Sequence, residues 1–304
     1  MFAVKSSHSL ISSGTELKIF KGQFDDDALD STIEDMKNER MSYPLAYGYC
    51  LVGRIIKCGS AVSKDLVGKL VFSFSPHGSH AITDIDNVHI VPDNIAPEDA
   101  IFMPSVETAL SLIHDANPRI GENVAVFGQG LIGLLVTAIL CSQRPTAGSA
   151  KFGVVTAFDM VPDRLMAAAR FGATQALFPA TSGGPFDISI EVSGNSRALQ
   201  SAIDLTVDGG RIIVGSWYGN SGVNLDLGID FHRSQKIIRA SQVSKLPSEL
   251  LSTWDKDRRF DFTWELVRIL KPSRMLSKVA DISDAKNAYE ALDKGQEVAI
   301  AFTY

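Results

Sequence analysis

Residues 124–133, VAVFGQGLIG, constrain this chain more than any other stretch. Four apolar residues run straight into Gly128, Gly130 and Gly133, and an apolar, helix-like run over 134–141 follows at once. Strand, glycine turn and helix in immediate succession are the opening unit of a doubly wound parallel sheet. Each glycine has its own task. Gly128 allows the tight turn, Gly130 lets the backbone approach a pyrophosphate, and Gly133 lets the helix pack close to the strand. The leading N–H groups of the helix, on Leu131 and Ile132, face the phosphate charge. An acid, Asp159, ends the next apolar run, FGVVTAFD. Together these signals predict a dinucleotide site; the alternative is a glycine-rich turn without a ligand.

At 304 residues the chain is too long for one ordinary core and suits two domains. Its net charge of −6 gives no electrostatic reason to bind nucleic acid or an anionic membrane surface. The longest apolar run, 124–141, is broken by Gly, Gln and Gly, so it reads as strand, turn and buried helix and not as a membrane span. Cys50, Cys58 and Cys141 show no CxxC spacing, which leaves neither a disulfide framework nor a four-thiolate zinc lobe. A reducing setting, cytoplasm or organelle interior, is therefore expected. The opening MFAVKSSHSL has no signal-peptide core and starts as though already inside a strand, as if an upstream segment preceded it.

Residues 1 to about 110 read as short strands and turns, with apolar runs at 53–57, 69–74 and 89–91. The acidic stretch 25–35 reads as a solvated loop or helix face. From Pro97 the pattern changes. Helix-like runs at 100–103 and 107–114 precede an alternation: strand 124–127, helix 131–140, strand 153–158, helix 162–171, strand 186–192, helix 196–205, strand 211–215 and strand 236–241. That alternation predicts an α/β fold with a parallel, doubly wound sheet. The loop-like SQRPTAGSAK, 142–151, pushes Asp159 beyond the roughly 20 residues usual between glycine turn and acid. Helices at 262–270 and 283–292 and a strand at 298–302 close the chain.

Several segments together resemble the medium-chain dehydrogenase/reductases: ISSGTEL (11–17), YPLAYGYCLVGRI (43–55), GKLVF (68–72), ENVAVFGQGLIGLL, FDMVPDRLMAAARFGA and GGRIIVG. Within that family GYC, FSFSPH, SVETAL and FHRSQKIIRASQ resemble a subgroup labelled zinc-type alcohol dehydrogenases, itself related to bacteriochlorophyllide dehydrogenases. The resemblance implies a GroES-like β-barrel domain over 1–108 and 246–304, with a Rossmann domain over 109–245 inserted in it. It also implies NAD(P)(H)-dependent oxidoreduction of a small molecule in a cleft between them. Relatives commonly dimerise along the Rossmann sheet edge, for which 211–215 and 236–241 are the candidate strands.

This sequence departs from the family where relatives bind zinc. The thiolate position is Ser13, the imidazole position Tyr49, the adjacent glutamate Cys50 and the ligand position on the following helix Pro104. A hydroxyl, a phenol and a proline do not make the N/S set that zinc favours, so no metal is expected. The pair His77 and His80 could hold a metal but reads better as polar loop residues, and His77 is either a cleft residue, which only the subgroup resemblance suggests, or a surface histidine. Without a Lewis acid, a hydrogen-bond donor must manage charge on the substrate oxygen. Tyr49 is the leading donor, or else a core tyrosine with a satisfied hydroxyl. Thr15, at the family's hydroxyl-relay position, either passes the proton onward or bonds within its own turn. Glu107 is either an acid–base group with a raised pKa or a helix residue favoured by the macrodipole, beside Thr108 on the helix that approaches the nicotinamide. Asp159 accepts from the adenosine ribose and repels a 2′-phosphate, which favours NAD over NADP; Arg164 is expected to face solvent rather than bind a phosphate. Ser193 with Gly194, and Gly215 with Ser216, end two strands where backbone groups can grip the carboxamide, or are ordinary turns. The implied activity is hydride transfer between NAD(H) and an alcohol/carbonyl pair. The alternatives are reduction of an enone or quinone C=C bond and nucleotide binding without turnover.

Overall fold

The computed structural model describes residues 1–24, 42–60, 62–143, 153–179, 183–228 and 230–304; the acidic stretch 25–35 and residues 144–151 lie outside them. In chain order the strands are β1 (Phe2–Leu10), β2 (Leu51–Cys58), β3 (Leu70–Ser73), β4 (His80–Thr83), β5 (Val88–Ile90), β6 (Val124–Phe127), β7 (Val155–Phe158), β8 (Gln175–Leu177), β9 (Phe186–Glu191), β10 (Thr206–Val214), β11 (Ile237–Ala240), β12 (Lys278–Asp281) and β13 (Ile300–Thr303). The helices are α1 (Thr15–Phe20), α2 (Pro97–Ala100), α3 (Met103–Ala116), α4 (Leu131–Ser142), α5 (Pro162–Arg170), α6 (Ser196–Leu205), α7 (Asp230–Arg233), α8 (Lys256–Leu270) and α9 (Ala285–Asp293). Among the described residues no helix is long and apolar enough to cross a membrane.

Two compact units result, Met1–Pro104 with Trp264–Tyr304 and Ser105–Thr263. Residues 105–108 and 246–263 thus group with the second unit, although the resemblance implies that both belong with the first. One physical tie is the buried Arg259, which donates to the carbonyls of Val243 and Lys245 and to Glu107.

The first unit is built on a seven-stranded sheet ordered β12-β13-β1-β2-β3-β5, with β4 also pairing β1. β12 and β13 run parallel, and the other pairs are antiparallel. One core joins Phe2, Val4, Leu51, Ile55 and Val71 on one part of the sheet. Another packs Ile11, Ile300 and Phe302 against Ala288 and Leu292 of α9.

The second unit carries a six-stranded parallel sheet ordered β11-β10-β9-β6-β7-β8. Read inward from β8, its strands are the third, second and first of the unit, then the fourth, fifth and sixth. The order therefore reverses between β6 and β9. Every residue of β6 and β7 is buried, as expected of central parallel strands covered on both faces. Phe127 and Phe158 stack at 4.7 Å, and Phe186 meets Phe158 edge-on at 5.9 Å. α6 buries Leu199, Ala202 and Ile203, the stripe of an amphipathic helix, and Asn195 caps it by accepting the Arg197 N–H at 2.9 Å.

Two expectations change. The run expected at 100–103 is split: α2 ends at Ala100, and α3 starts at Met103 and runs as one element of 14 residues through 107–114. The segment 211–215 is not a sheet edge: β10 lies between β9 and β11, which leaves β11 alone on that side.

Candidate functional site

The glycine loop sits where the strand order reverses. Gly128 has φ +93°, and a Cβ there would stand 2.6 Å from the Cα of Ser193, which follows β9. A Cβ on Gly133 would stand 1.8 Å from the Gly128 carbonyl oxygen, so only glycine lets α4 start this close to the turn. Gly130 is the opposite case, since a Cβ there would meet nothing within 4 Å. Closed backing at Gly128 and Gly133 with open space over Gly130 is the shape that a pyrophosphate requires. The first intrahelical bond of α4 runs from Leu134 N–H to the Gly130 carbonyl, so the N–H groups of Leu131 and Ile132 precede it and stay available to an anion.

Gln129, the residue between the first two glycines, is fully buried and anchors the loop. Its side-chain NH₂ donates to the Val126 carbonyl at 3.1 Å, and its Oε1 accepts the Thr137 hydroxyl at 3.1 Å. Its backbone N–H donates to Asp159 Oδ2 at 2.6 Å, while Asp159 Oδ1 accepts the Val161 N–H at 2.8 Å. The acid therefore stitches the glycine loop to the turn after β7. Each of its oxygens keeps a second lone pair for a ribose hydroxyl. Arg164 does not point away into solvent as expected. Its Nη1 lies 4.0 Å from Asp159 Oδ2, and its Nε is buried without a hydrogen-bond partner.

At the ends of β9 and β10 the structure joins two of the expected residues, with Gly194 N–H donating to Ser216 Oγ at 2.8 Å. The Ser193 N–H and hydroxyl both donate to Glu191 Oε1, at 2.7 and 2.6 Å. Glu191 is completely buried and also accepts the Tyr218 hydroxyl at 2.7 Å on Oε2. Burial, and then that bond, push the Tyr218 phenol far above its ordinary pKa. The Gly215 N–H is taken by the Glu191 carbonyl, so Gly215 contributes shape here rather than a free donor. Glu107 is buried on α3 and paired with Arg259 at 2.9 Å. Burial raises its carboxyl pKa while the guanidinium opposes the rise. It lies one turn inside α3, past the first-turn positions that the macrodipole favours, with Thr108 half-buried beside it.

In the first unit Tyr49 is half-buried beside Tyr47, Leu45 and Ile19. Its hydroxyl donates to Ser12 Oγ at 2.6 Å, so its first partner is Ser12 and not Thr15. Thr15 opens α1 and is half-buried. Burial chiefly, with the nearby Cys50 and Glu16, pushes the Tyr49 phenol well above its usual range. Cys50 is buried and its thiol is likewise raised by burial, which makes it an inert neighbour. His77 lies in the loop between β3 and β4, as expected, but it is nearly enclosed and bonded to Glu16 at 2.8 Å and is not a surface histidine. Among the described residues no three His, Cys, Asp or Glu side chains gather as a metal ion would need. Gln129, Glu191, Ser12 and Glu16 escape a sequence reading because none stands at a family motif position with an obvious role. Their importance comes from partners as distant in the chain as Tyr289, which donates to Glu16 at 2.7 Å.

No family model matches the chain. It is 28% identical over 270 residues to D-guloside 3-dehydrogenase of Escherichia coli K12, covering 83% of this chain and 75% of that protein. Two solved structures share the fold over the whole chain. A short-chain alcohol dehydrogenase of Escherichia coli CFT073, complexed with NADH, matches with a TM-score of 0.77 at 17% identity and is covered to 91%. A Sinorhizobium meliloti protein described as a zinc-binding dehydrogenase and bound to NADP matches with a TM-score of 0.77 at 16% identity and is covered to 92%. The chain thus has the α/β fold of these dehydrogenase structures, its mixed and parallel sheets consistent with a GroES-like unit plus a Rossmann unit, and the relative named above is a dehydrogenase.

Proposed function

We propose that this protein is an oxidoreductase that passes a hydride between NAD(H) and an alcohol/carbonyl substrate, using side-chain hydroxyls in place of a metal. The observation that carries it is the glycine loop at the sheet's reversal point, closed behind Gly128 and Gly133 and open over Gly130. When bound, the nicotinamide supplies the hydride acceptor or donor. Leu131 and Ile132 N–H groups hold the pyrophosphate, Asp159 receives the adenosine ribose, and the Ser193–Gly194 and Gly215–Ser216 ends flank the nicotinamide side. Asp159 beside Arg164 favours a ribose hydroxyl over a 2′-phosphate, because the carboxylate charge repels the phosphate.

Independence from zinc is supported by the donor chemistry. Ser13, Tyr49 and Pro104 stand where relatives place ligands, and the Tyr49 hydroxyl is already bonded to Ser12. During carbonyl reduction the Tyr49 hydroxyl donates its proton toward the substrate oxygen. The Ser12 hydroxyl rotates to donate to Tyr49 Oη as charge gathers there. Thr15 lies on the same short stretch as Ser12 and continues the path. The phenol's raised pKa keeps its proton in place at neutral pH, so Tyr49 acts as a donor and not as a resting base. Glu107, tied to Arg259, serves as a buried ion pair.

Two measurements test this. NADH should quench the protein's tryptophan fluorescence, and Tyr49→Phe should leave that affinity intact while carbonyl reduction falls by about 10²–10⁴-fold, the usual reach of a general acid. Failure of NADH to bind, or full turnover in Tyr49→Phe, would refute it.

A further inference from the structure

One buried hydrogen-bonded group of the first unit has no part in the chemistry above. Glu16 is 2% exposed, and its Oε1 accepts the Ser12 N–H at 2.9 Å. Its Oε2 lies 2.8 Å from His77 Nε2 and accepts the Tyr289 hydroxyl at 2.7 Å. On the other side of the ring, His77 Nδ1 lies 2.7 Å from Ser9 Oγ, which is 2.7 Å from the Tyr304 hydroxyl. That hydroxyl accepts the Gly78 N–H at 3.1 Å. The set has a consistent direction. Tyr304 donates to Ser9, Ser9 donates to Nδ1, and the remaining ring proton sits on Nε2 and points at Glu16. The imidazole thus bridges Ser9 and Glu16, and the carboxylate is held by three donors.

This group meets Tyr49 from two sides. Ser12, held through its N–H by Glu16, accepts the Tyr49 hydroxyl. His77 packs over Gly48, the residue before Tyr49. Gly48 has φ +125°, and a Cβ there would stand 2.8 Å from His77 Cδ2 and 2.9 Å from the His77 nitrogen. The His77 N–H donates to the Tyr47 carbonyl at 3.1 Å. Both the backbone that carries the phenol and the oxygen that receives its proton are thus fixed by one buried pair.

We propose that Glu16 and His77 are positioning residues for Tyr49: bonded to each other, they hold Ser12 Oγ and the 47–49 backbone so that the phenol oxygen and its resting hydrogen bond to Ser12 keep one place. The catalytic value of this arrangement rests on the reading that Tyr49 serves the substrate oxygen. With the phenol ring and Ser12 Oγ already in place, only the two hydroxyl protons turn when charge develops on the substrate oxygen. The geometry itself can be tested without substrate or cofactor.

The test follows the Tyr49 hydroxyl proton by solution NMR of tyrosine-labelled protein, with its signal identified by loss in Tyr49→Phe. Wild-type protein should show slow exchange. Ser12→Ala and Glu16→Gln should each speed it by at least about tenfold, roughly what one hydrogen bond contributes. His77→Gln should do the same. The Leu10 and Ile11 amides, bonded to the Cys50 and Ile300 carbonyls, report the surrounding sheet and should stay protected. Exchange within about a factor of two of wild type in Ser12→Ala or folded Glu16→Gln overturns the proposal. So does exchange of the two amides in step with the hydroxyl, which would mean general loosening. If Glu16→Gln does not fold, Ser12→Ala and His77→Gln decide on the same readout. Because NADH is absent throughout, failure here is distinct from failure of the hydride-transfer reading.

Discussion

The carboxylate of Asp159 is tied down before any nucleotide arrives, with one backbone N–H on each oxygen. A ribose would be received by its remaining lone pairs, and a 2′-phosphate would meet its full charge. Replacing it with serine removes that repulsion and frees Arg164, whose Nε already lacks a partner. Asp159→Ser should therefore shift the ratio of NADPH to NADH affinity about tenfold toward NADPH, near 1.4 kcal/mol, measured by fluorescence quenching. An unmoved ratio would remove Asp159 from the specificity site. A second residue effect concerns acid. Burial of this α3 side chain against Trp254, with the nearby Arg259 charge, lowers the His114 imidazole from 6.5 to about 4. Between these values the unfolded chain binds a proton that the folded one does not, so stability rises with pH there and is lost as pH falls from 6.5 through 4. Because the ring is partly exposed, the loss should be only about 1 kcal/mol. His114→Phe should flatten that part of a urea-midpoint-against-pH curve; an identical slope in the variant would assign the effect elsewhere.

Among the elements, β6 and α4 were legible because strand, turn and helix are contiguous and each has a strong signature. The structure reproduces β6 over its expected residues and extends α4 only to Ser142. α1, β4, β8 and β12 were not legible. They are three to six residues long and owe their form to neighbours, as β4 does to β1 and β12 to β13. The same contrast predicts where a single methyl group does damage. Gly133→Ala places a Cβ against the Gly128 carbonyl oxygen, which has nowhere to move. It should cost about 1–3 kcal/mol in urea unfolding and weaken NADH binding. Gly130→Ala, over open space, should fold normally and lose NADH affinity alone. Equal stability loss in both would contradict the division of labour among these glycines.

At the scale of the molecule, the parallel sheet's order sets one reversal point, and the loop following β6 reaches it beside the end of β9. The net charge of −6 suits a small-molecule enzyme better than a binder of polyanions. β11 is the edge on that side of the sheet to which the dimer contact implied by the resemblance narrows, with Ile237 half exposed on it. Metal content is a property of the whole protein and decides between the proposed hydroxyl chemistry and that of zinc-binding relatives. Protein purified without chelator should carry far less than one zinc per chain by elemental analysis, and NADH affinity should not change on chelator treatment. One equivalent of tightly held zinc would defeat the proposal.

By itself the sequence determined the class of fold and the nucleotide loop, since both are written in short contiguous patterns: glycine spacing, strand–helix alternation and an acid at a strand end. Tertiary structure alone decided what the acids and hydroxyls are doing. It bound Glu107 to Arg259, turned Arg164 toward Asp159, gave Tyr49 to Ser12 and enclosed His77 against Glu16. Those partners lie up to 152 residues apart along the chain. Hydrogen bonds and charge pairing depend on distance and direction in space, and a local pattern of residue types carries neither.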